Sequence, residues 1–179
     1  LSNKDYLKRV KNGYAEKYAV NGKVYNVPFT ANAYGIYYNK DKFEELGLKV
    51  PETWDEFEQL VKDIVAKGQT PFGIAGADAW TLNGYNQLAF ATAAGGGKEA
   101  NKYLRYSKPN SIKLSDPIMK DDIKVMDILR IKGSKQKNWE GAGYTDVIGA
   151  FARGDVLMTP NGSWAITAIN EQKPKFKIG

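Results

Sequence analysis

The side chains that most often carry catalysis are missing from this chain. It has no cysteine and no histidine, which excludes disulfides, thiol nucleophiles, thiolate metal sites and the commonest general base and metal ligand. Carboxylates, lysines and aromatic rings remain. A glycoside hydrolase would need two carboxylates on either side of the scissile bond, but Asp55, Glu56, Asp121 and Asp122 stand in helix-start contexts where capping and the helix dipole account for acidic residues. Catalysis is therefore not expected, and no cofactor or metal is implied. The net charge is +6, yet lysines alternate with acids, as in Lys40-Asp41-Lys42 and Lys120-Asp121-Asp122-Ile123-Lys124. That pattern describes a solvated basic surface, with no nucleic-acid partner. No apolar run approaches the roughly eighteen residues that a membrane span needs.

These groups must be held by elements, and periodicity predicts what the elements are. Leu7, Val10 and Tyr14 share one helical face between Ser2 and about Tyr18, an amphipathic helix. Asn21-Gly22, between Tyr18-Ala19-Val20 and Val24-Tyr25, suits a hairpin turn with positive φ at both central residues. Tyr34 to Asn39 is apolar and aromatic on both faces, as a strand buried on both sides would be. Lys40 to Leu46 reads as a short helix stopped at Gly47. In Pro51-Glu52-Thr53-Trp54-Asp55-Glu56-Phe57, Thr53 and Glu56 form a capping box. The helix it opens carries Phe57, Leu60, Val61, Ile64 and Val65 at helical spacing and ends at Gly68. Thr70 to Ala75 is a short strand, and Ala79 to Ala94 a small-residue helix. Asp116-Pro117 starts a helix through Ile123, Met126 and Leu129 to Gly133. Thr145 to Arg153 is a further helix closed by Gly154. Val156 to Thr159 then reads as a buried strand, Pro160-Asn161-Gly162 as a tight turn and Ser163 onward as a helix start. Strands alternating with helices make an α/β layered lobe, partly parallel, with no internal repeat. A chain of 179 residues holds about one domain of ordinary size.

The order GKVYNVP, YYNKDKFEELGL, PETWDEF resembles the extracellular (family 1) solute-binding proteins of bacterial sugar ABC importers, the group that includes maltose-binding protein. The resemblance continues through Thr70 to Ala75, through a tryptophan-led helix ending in AAGG (Trp80 to Gly96), and through AFARGDVLMTPNGSW (Ala150 to Trp164). It implies an α/β, periplasmic-binding-protein-like fold of type II. Family members have two lobes and roughly twice this length, so a fragment is expected: 1–27 the tail of the first lobe, 28–33 the crossover, 34–169 most of the second lobe without its closing helices, and 170–179 the start of a return strand. Neither a signal peptide nor an anchor cysteine is visible. The family places the parent outside the cytoplasm, as a Gram-positive surface lipoprotein or a periplasmic protein. Its expected partners are a sugar or oligosaccharide and the permease subunits of the importer, and it is expected to be a monomer.

The resemblance also directs attention to a site. A sugar ring presents C–H groups on its faces and hydroxyls at its rim, so it is held by flat aromatic platforms with a few fixed donors and acceptors. Trp164, after Asn161-Gly162-Ser163, matches the family's NG-x-W position, with Gly162 in the turn. Trp80 opens a helix and matches a recurrent family tryptophan, with Asp78 as a hydroxyl acceptor beside it. Asn32 stands at the crossover, where an amide can both donate and accept. Tyr144 precedes a helix where the family has a cleft aromatic, and Tyr85 is one turn beyond Trp80. Core packing is the competing reading for each aromatic, and a plain hinge residue for Asn32. Trp139 and Tyr34 are read as packing residues and Trp54 as structural. Alternatives to a sugar-binding protein are a binder of another small solute such as a peptide or polyamine, a lobe that only docks on the permease, and a carbohydrate-active enzyme fragment. With half a cleft, sugar binding by this chain alone is expected to be weak or absent.

Overall fold

A computed structural model describes residues 5–10, 13–15, 19–27, 29–103 and 112–179. The chain divides into two compact units, Leu1–Ala33 and Tyr34–Gly179. In the first, the described part of the helix expected from Ser2 to Tyr18 is helical as a 3-10 helix at Asp5–Arg9. Residues 13–15 form a turn in which Gly13 takes φ +85°, and residues 2–4, 11–12 and 16–18 of the expected helix lie outside the described residues. The hairpin turn is as expected. Val20 and Lys23 exchange backbone hydrogen bonds of 3.0 Å in both directions, and Asn21 and Gly22 take φ of 51° and 74°, the signature of a two-residue primed turn.

The second unit is built on a pair of strands remote in sequence. β1 (Tyr34–Tyr38) runs antiparallel to β2 (Met158–Gly162), with Tyr34 opposite Gly162 and Tyr38 opposite Met158. The expected turn at Pro160-Asn161-Gly162 is thus corrected to strand. Proline is tolerated because the backbone groups of this segment serve two neighbours: the Leu157 carbonyl accepts from Asn39 N at 3.0 Å on one side, and Met158 N donates to Pro71 O at 2.8 Å on the other. Pro160 would present its missing N–H on the Pro71 side. There the Gly73 carbonyl accepts from Thr159 Oγ1 instead, at 3.2 Å.

Parallel pairing among the described residues is confined to single bridges, from Phe72 to Met158 and from Phe72 to Lys135. Thr70 to Ala75 therefore lies extended beside β2 without forming a full strand. On the side facing Lys135, the Gln136 side chain takes both backbone groups of Ile74, accepting its N–H at 3.0 Å and donating to its carbonyl at 2.7 Å. A side-chain amide replaces the next rung of the ladder. On the far side of β1, Tyr38 and Gly179 exchange hydrogen bonds of 3.0 and 2.9 Å.

Helices cover both faces of this ribbon. α1 (Lys40–Glu45) is capped by Asn39, whose side chain accepts from Lys42 N. α2 (Trp54–Ala66) opens with the full capping box of Thr53 and Glu56 and is followed by Gly68 at φ +70°. Next come α3 (Ala79–Ala93), α4 (Gly97–Tyr103), α5 (Pro117–Ile128), α6 (Tyr144–Arg153) and α7 (Ala165–Glu171). One core joins Phe57, Leu60, Val61 and Ile64 of α2, Tyr85 and Ala89 of α3, and Val125 and Ile128 of α5 to Phe72 and Met158, with Ile36 and Tyr38 against it. A second joins Ile148 and Phe151 of α6 to Ala165 and Ile169 of α7, with Tyr37 against it. Alternate residues of β1 thus feed opposite cores, as a strand covered on both sides requires. The α5 stripe differs from expectation. Ile118, Asp122, Val125 and Ile128 face inward; of the expected stripe Leu129 is buried and Met126 packs on the first core, while Ile123 is exposed.

Candidate functional site

The ends of β1 and β2 and the starts of α3, α6 and α7 bring four aromatic rings together. Trp164 follows the last residue of β2 by two and caps α7 at its N-terminus. Trp80 is the second residue of α3 and Tyr144 the first of α6. The Trp80 ring lies 5.2 Å from that of Tyr144, tilted 43°, and 6.3 Å from that of Trp164, tilted 47°. Tyr34 meets Trp164 edge-on at 6.2 Å. All of these spacings fall within contact range for aromatic pairs, so the rings form one continuous bent wall. Both tryptophans remain 45% exposed. A pair of large apolar rings that touch each other yet keep nearly half their surface open is poorly explained by core packing and well suited to receiving a flat ligand.

The wall is held by polar contacts behind it. Asp78 does not cap its own helix; its carboxylate reaches to α6 and accepts the Tyr144 backbone N–H at 2.6 Å. That contact fixes the start of α6 beside the start of α3, and carboxylate at a helix N-terminus is favoured by the dipole. Gly143 N donates to Asp146 at 2.8 Å, completing the cap. Thr81 Oγ1 donates to Ala75 O and Asp78 O, both at 2.9 Å, which binds the α3 start to the preceding segment.

Three phenols gather at the same place. The Tyr34 hydroxyl lies 3.2 Å from both Thr81 O and Pro160 O, and the Tyr37 hydroxyl donates to Gly162 O at 3.2 Å. Burial pushes Tyr34 up to about 12, and the neighbouring Tyr144 adds to the shift. Tyr37 and Tyr144 are raised as well, again chiefly by burial; the proximity of Tyr37 adds to the rise of Tyr144, whereas a backbone hydrogen bond from Ile166 opposes that of Tyr37. All three are thus neutral hydroxyl groups at physiological pH, able to donate as well as accept.

The sequence-derived candidates divide accordingly. Trp164, Trp80, Tyr144 and Asp78 come together. Gly162 lies directly beneath the Trp164 ring, where a Cβ would collide with it. Tyr85 is a correction: it is 1% exposed and its hydroxyl donates to Val125 O of α5 at 3.0 Å. One turn beyond Trp80 points toward α5, not toward the wall. Asn32 lies outside helix and strand in the first unit. Trp139 packs against the first core with the Lys135 ammonium 5.1 Å above its ring, and Trp54 packs on Phe57. The residues that sequence reasoning missed are Tyr34, assigned to packing alone, and Tyr37. The usable signal was position, since Tyr34 opens the strand that leads from the expected crossover.

Comparison with known proteins gives this geometry a context. The sequence profile of the family described as bacterial extracellular solute-binding protein matches residues 1–178. A multiple sugar-binding protein of Streptococcus mutans is 59% identical over 179 residues, which are 100% of this chain and 43% of that protein. The solved apo-form of RafE from Streptococcus pneumoniae is 96% identical with a TM-score of 0.88, over 100% of this chain and 46% of that one. RafE in complex with raffinose matches at 96% identity and a TM-score of 0.87, over 100% and 47%. The chain thus spans less than half the length of each of these relatives.

Proposed function

Since the chain belongs to the bacterial extracellular solute-binding proteins, we propose that it is the sugar-holding part of the substrate-capture component of an ABC importer, with an oligosaccharide as its ligand. Within the part it spans, the fold is that of a type II periplasmic binding protein. The observation that carries the functional reading is the half-exposed, continuous wall of Trp164, Trp80 and Tyr144. Its extent over several rings suits a ligand of more than one sugar residue, and raffinose, the ligand of the 96% identical RafE complex, is the first candidate. Asp78 supplies an acceptor at its margin, and the Tyr144 hydroxyl can donate or accept there.

Capture here involves no chemistry. Sugar settles on the wall, the binding-competent closed form is favoured to the extent that it holds the sugar more tightly, and that form delivers the sugar to the permease. The protein acts outside the cytoplasmic membrane, where the family works.

The test is calorimetric and fluorescence titration of the protein, expressed at the full length of its relatives, with raffinose, its component disaccharides and monosaccharides. Saturable binding of the oligosaccharide is expected, weakened about tenfold or more by Trp164→Ala, equivalent to roughly 1.4 kcal/mol. No response to any sugar from folded protein would overturn the reading. Undiminished affinity in Trp164→Ala would remove the wall from the site.

A further inference from the structure

The sequence reads Tyr34 as a packing residue, but its contacts join α3, β2 and Trp164. Its ring lies against Gly84 of α3, so closely that a Cβ on that glycine would stand 2.5 Å from the ring. Glycine at 84 is therefore what admits the tyrosine. The single phenolic proton is shared between two carbonyls at 3.2 Å, Thr81 O one residue beyond Trp80 on α3 and Pro160 O on β2. The ring edge meets Trp164 at 6.2 Å and 60°. One side chain thus ties the helix that carries Trp80 to the strand that leads into Trp164, and it also abuts the second tryptophan directly.

We propose that Tyr34 is the positioning residue that sets the separation and tilt of the Trp80 and Trp164 platforms, and through them the affinity for oligosaccharide. This rests on the functional reading above. β1 and β2 are already paired, so their hydrogen bonds place Gly162 opposite Tyr34 whatever the side chain. What backbone pairing does not fix is the distance from α3 to β2 at the level of the tryptophans. The ring of Tyr34 wedged on Gly84 sets how near α3 comes, and the shared hydroxyl keeps it from drifting away. A ligand held by two platforms is sensitive to their mutual geometry because a platform displaced by a fraction of an ångström loses contact along a whole ring face.

The experiment uses Tyr34→Phe in the full-length protein, which keeps the ring and removes the hydroxyl, alongside Gly84→Ala, which keeps the tyrosine and displaces its ring. Near-ultraviolet circular dichroism of the sugar-free protein reads the coupling between the two indoles, assigned by its loss in Trp80→Ala. Both variants are expected to alter that signal and to weaken raffinose binding at least about fivefold, while Tyr34→Phe retains cooperative unfolding. An unchanged indole signal in Tyr34→Phe overturns the proposal, and a lowered melting temperature without it assigns the hydroxyl to packing alone. Because the spectrum is recorded without sugar, failure of the ligand assignment and failure of the positioning role give different results. A shifted signal in a protein that binds no sugar would refute the ligand and leave the strut in place.

Discussion

Gly162 illustrates how a residue with no side chain can determine a site. Its Cα lies under the Trp164 ring, and the ring atoms nearest to a built Cβ are Cζ3, Cη2 and Cε3. The backbone there is not among the positive-φ glycines, so any cost of substitution is steric. Gly162→Ala would have to lift the indole off the strand, and overpacking of this kind costs about 1–3 kcal/mol. The expected outcome is a lower melting temperature together with weaker sugar binding in the same titration, whereas a tolerated alanine would show that Trp164 has an equally good second seat. Sequence reasoning could name Gly162, Trp164, Trp80 and Tyr144 because family motifs mark them. It could not find the contact between Tyr34 and Gly84, because fifty residues separate the two and only the packing of α3 on β1 brings them together. Asp78 was legible as a neighbour of Trp80, but its hold on the Tyr144 amide depends on where α6 begins in space.

Among the elements, α2 follows from the sequence most directly. Its capping box, apolar stripe and terminal glycine are all local signals, and the structure shows each of them. α5 is less direct. Local apolar spacing pointed to Leu129 and Met126, which do reach the first core, but also to Ile123, which is exposed; the face turned inward carries Asp122 instead, 4% exposed, because α5 packs on α3 along Tyr85 and Asn86. Only Asn86 donates to the Asp122 carboxylate, at 3.3 Å, and Oδ1 has no partner among the described residues. Burial raises the Asp122 pKa, with the Asn86 hydrogen bond opposing the shift. A carboxyl raised in the folded state stabilises it fully below its unfolded pKa, and that contribution is lost as pH rises through the folded pKa. At neutral pH the ionised form is therefore a cost. Asp122→Asn keeps an acceptor for Asn86 and removes the charge, so it is expected to raise stability at pH 7 relative to its effect at pH 4. It should also flatten the decline of stability above the ordinary carboxylate range. Melting temperatures measured from pH 4 to pH 8 decide it, and a destabilised variant with an unchanged pH profile would mean that the charge has a partner.

At the scale of the molecule, the sequence pointed to an α/β lobe with strands buried on both faces, and the two cores on either side of β1 and β2 bear that out. The strand order was not legible, because antiparallel pairing of β1 with β2 joins segments more than a hundred residues apart and no local pattern encodes it. The same holds for Lys177–Gly179, which takes the outer edge of β1 through Lys40 N to Lys177 O at 2.9 Å and the mutual bonds of Tyr38 and Gly179. Phe176, just before it, packs edge-on against Phe151 of the second core at 5.5 Å, and Ile178 also lies against that core. This short segment therefore covers one side of the ribbon and completes the packing of α6 and α7. An uncovered strand edge is a template for pairing with other chains. Removal of residues 174–179 is expected to expose the backbone of Tyr38 to Lys40 and to forfeit roughly 2–4 kcal/mol of apolar burial from Phe176 and Ile178. Because that core also seats α7, which follows Trp164, the loss should reach the wall as well. Thermal unfolding and light scattering of the shortened 179-residue chain would show a lower midpoint and concentration-dependent association. A monomeric product with an unshifted midpoint would instead place the edge contact outside the cooperative core.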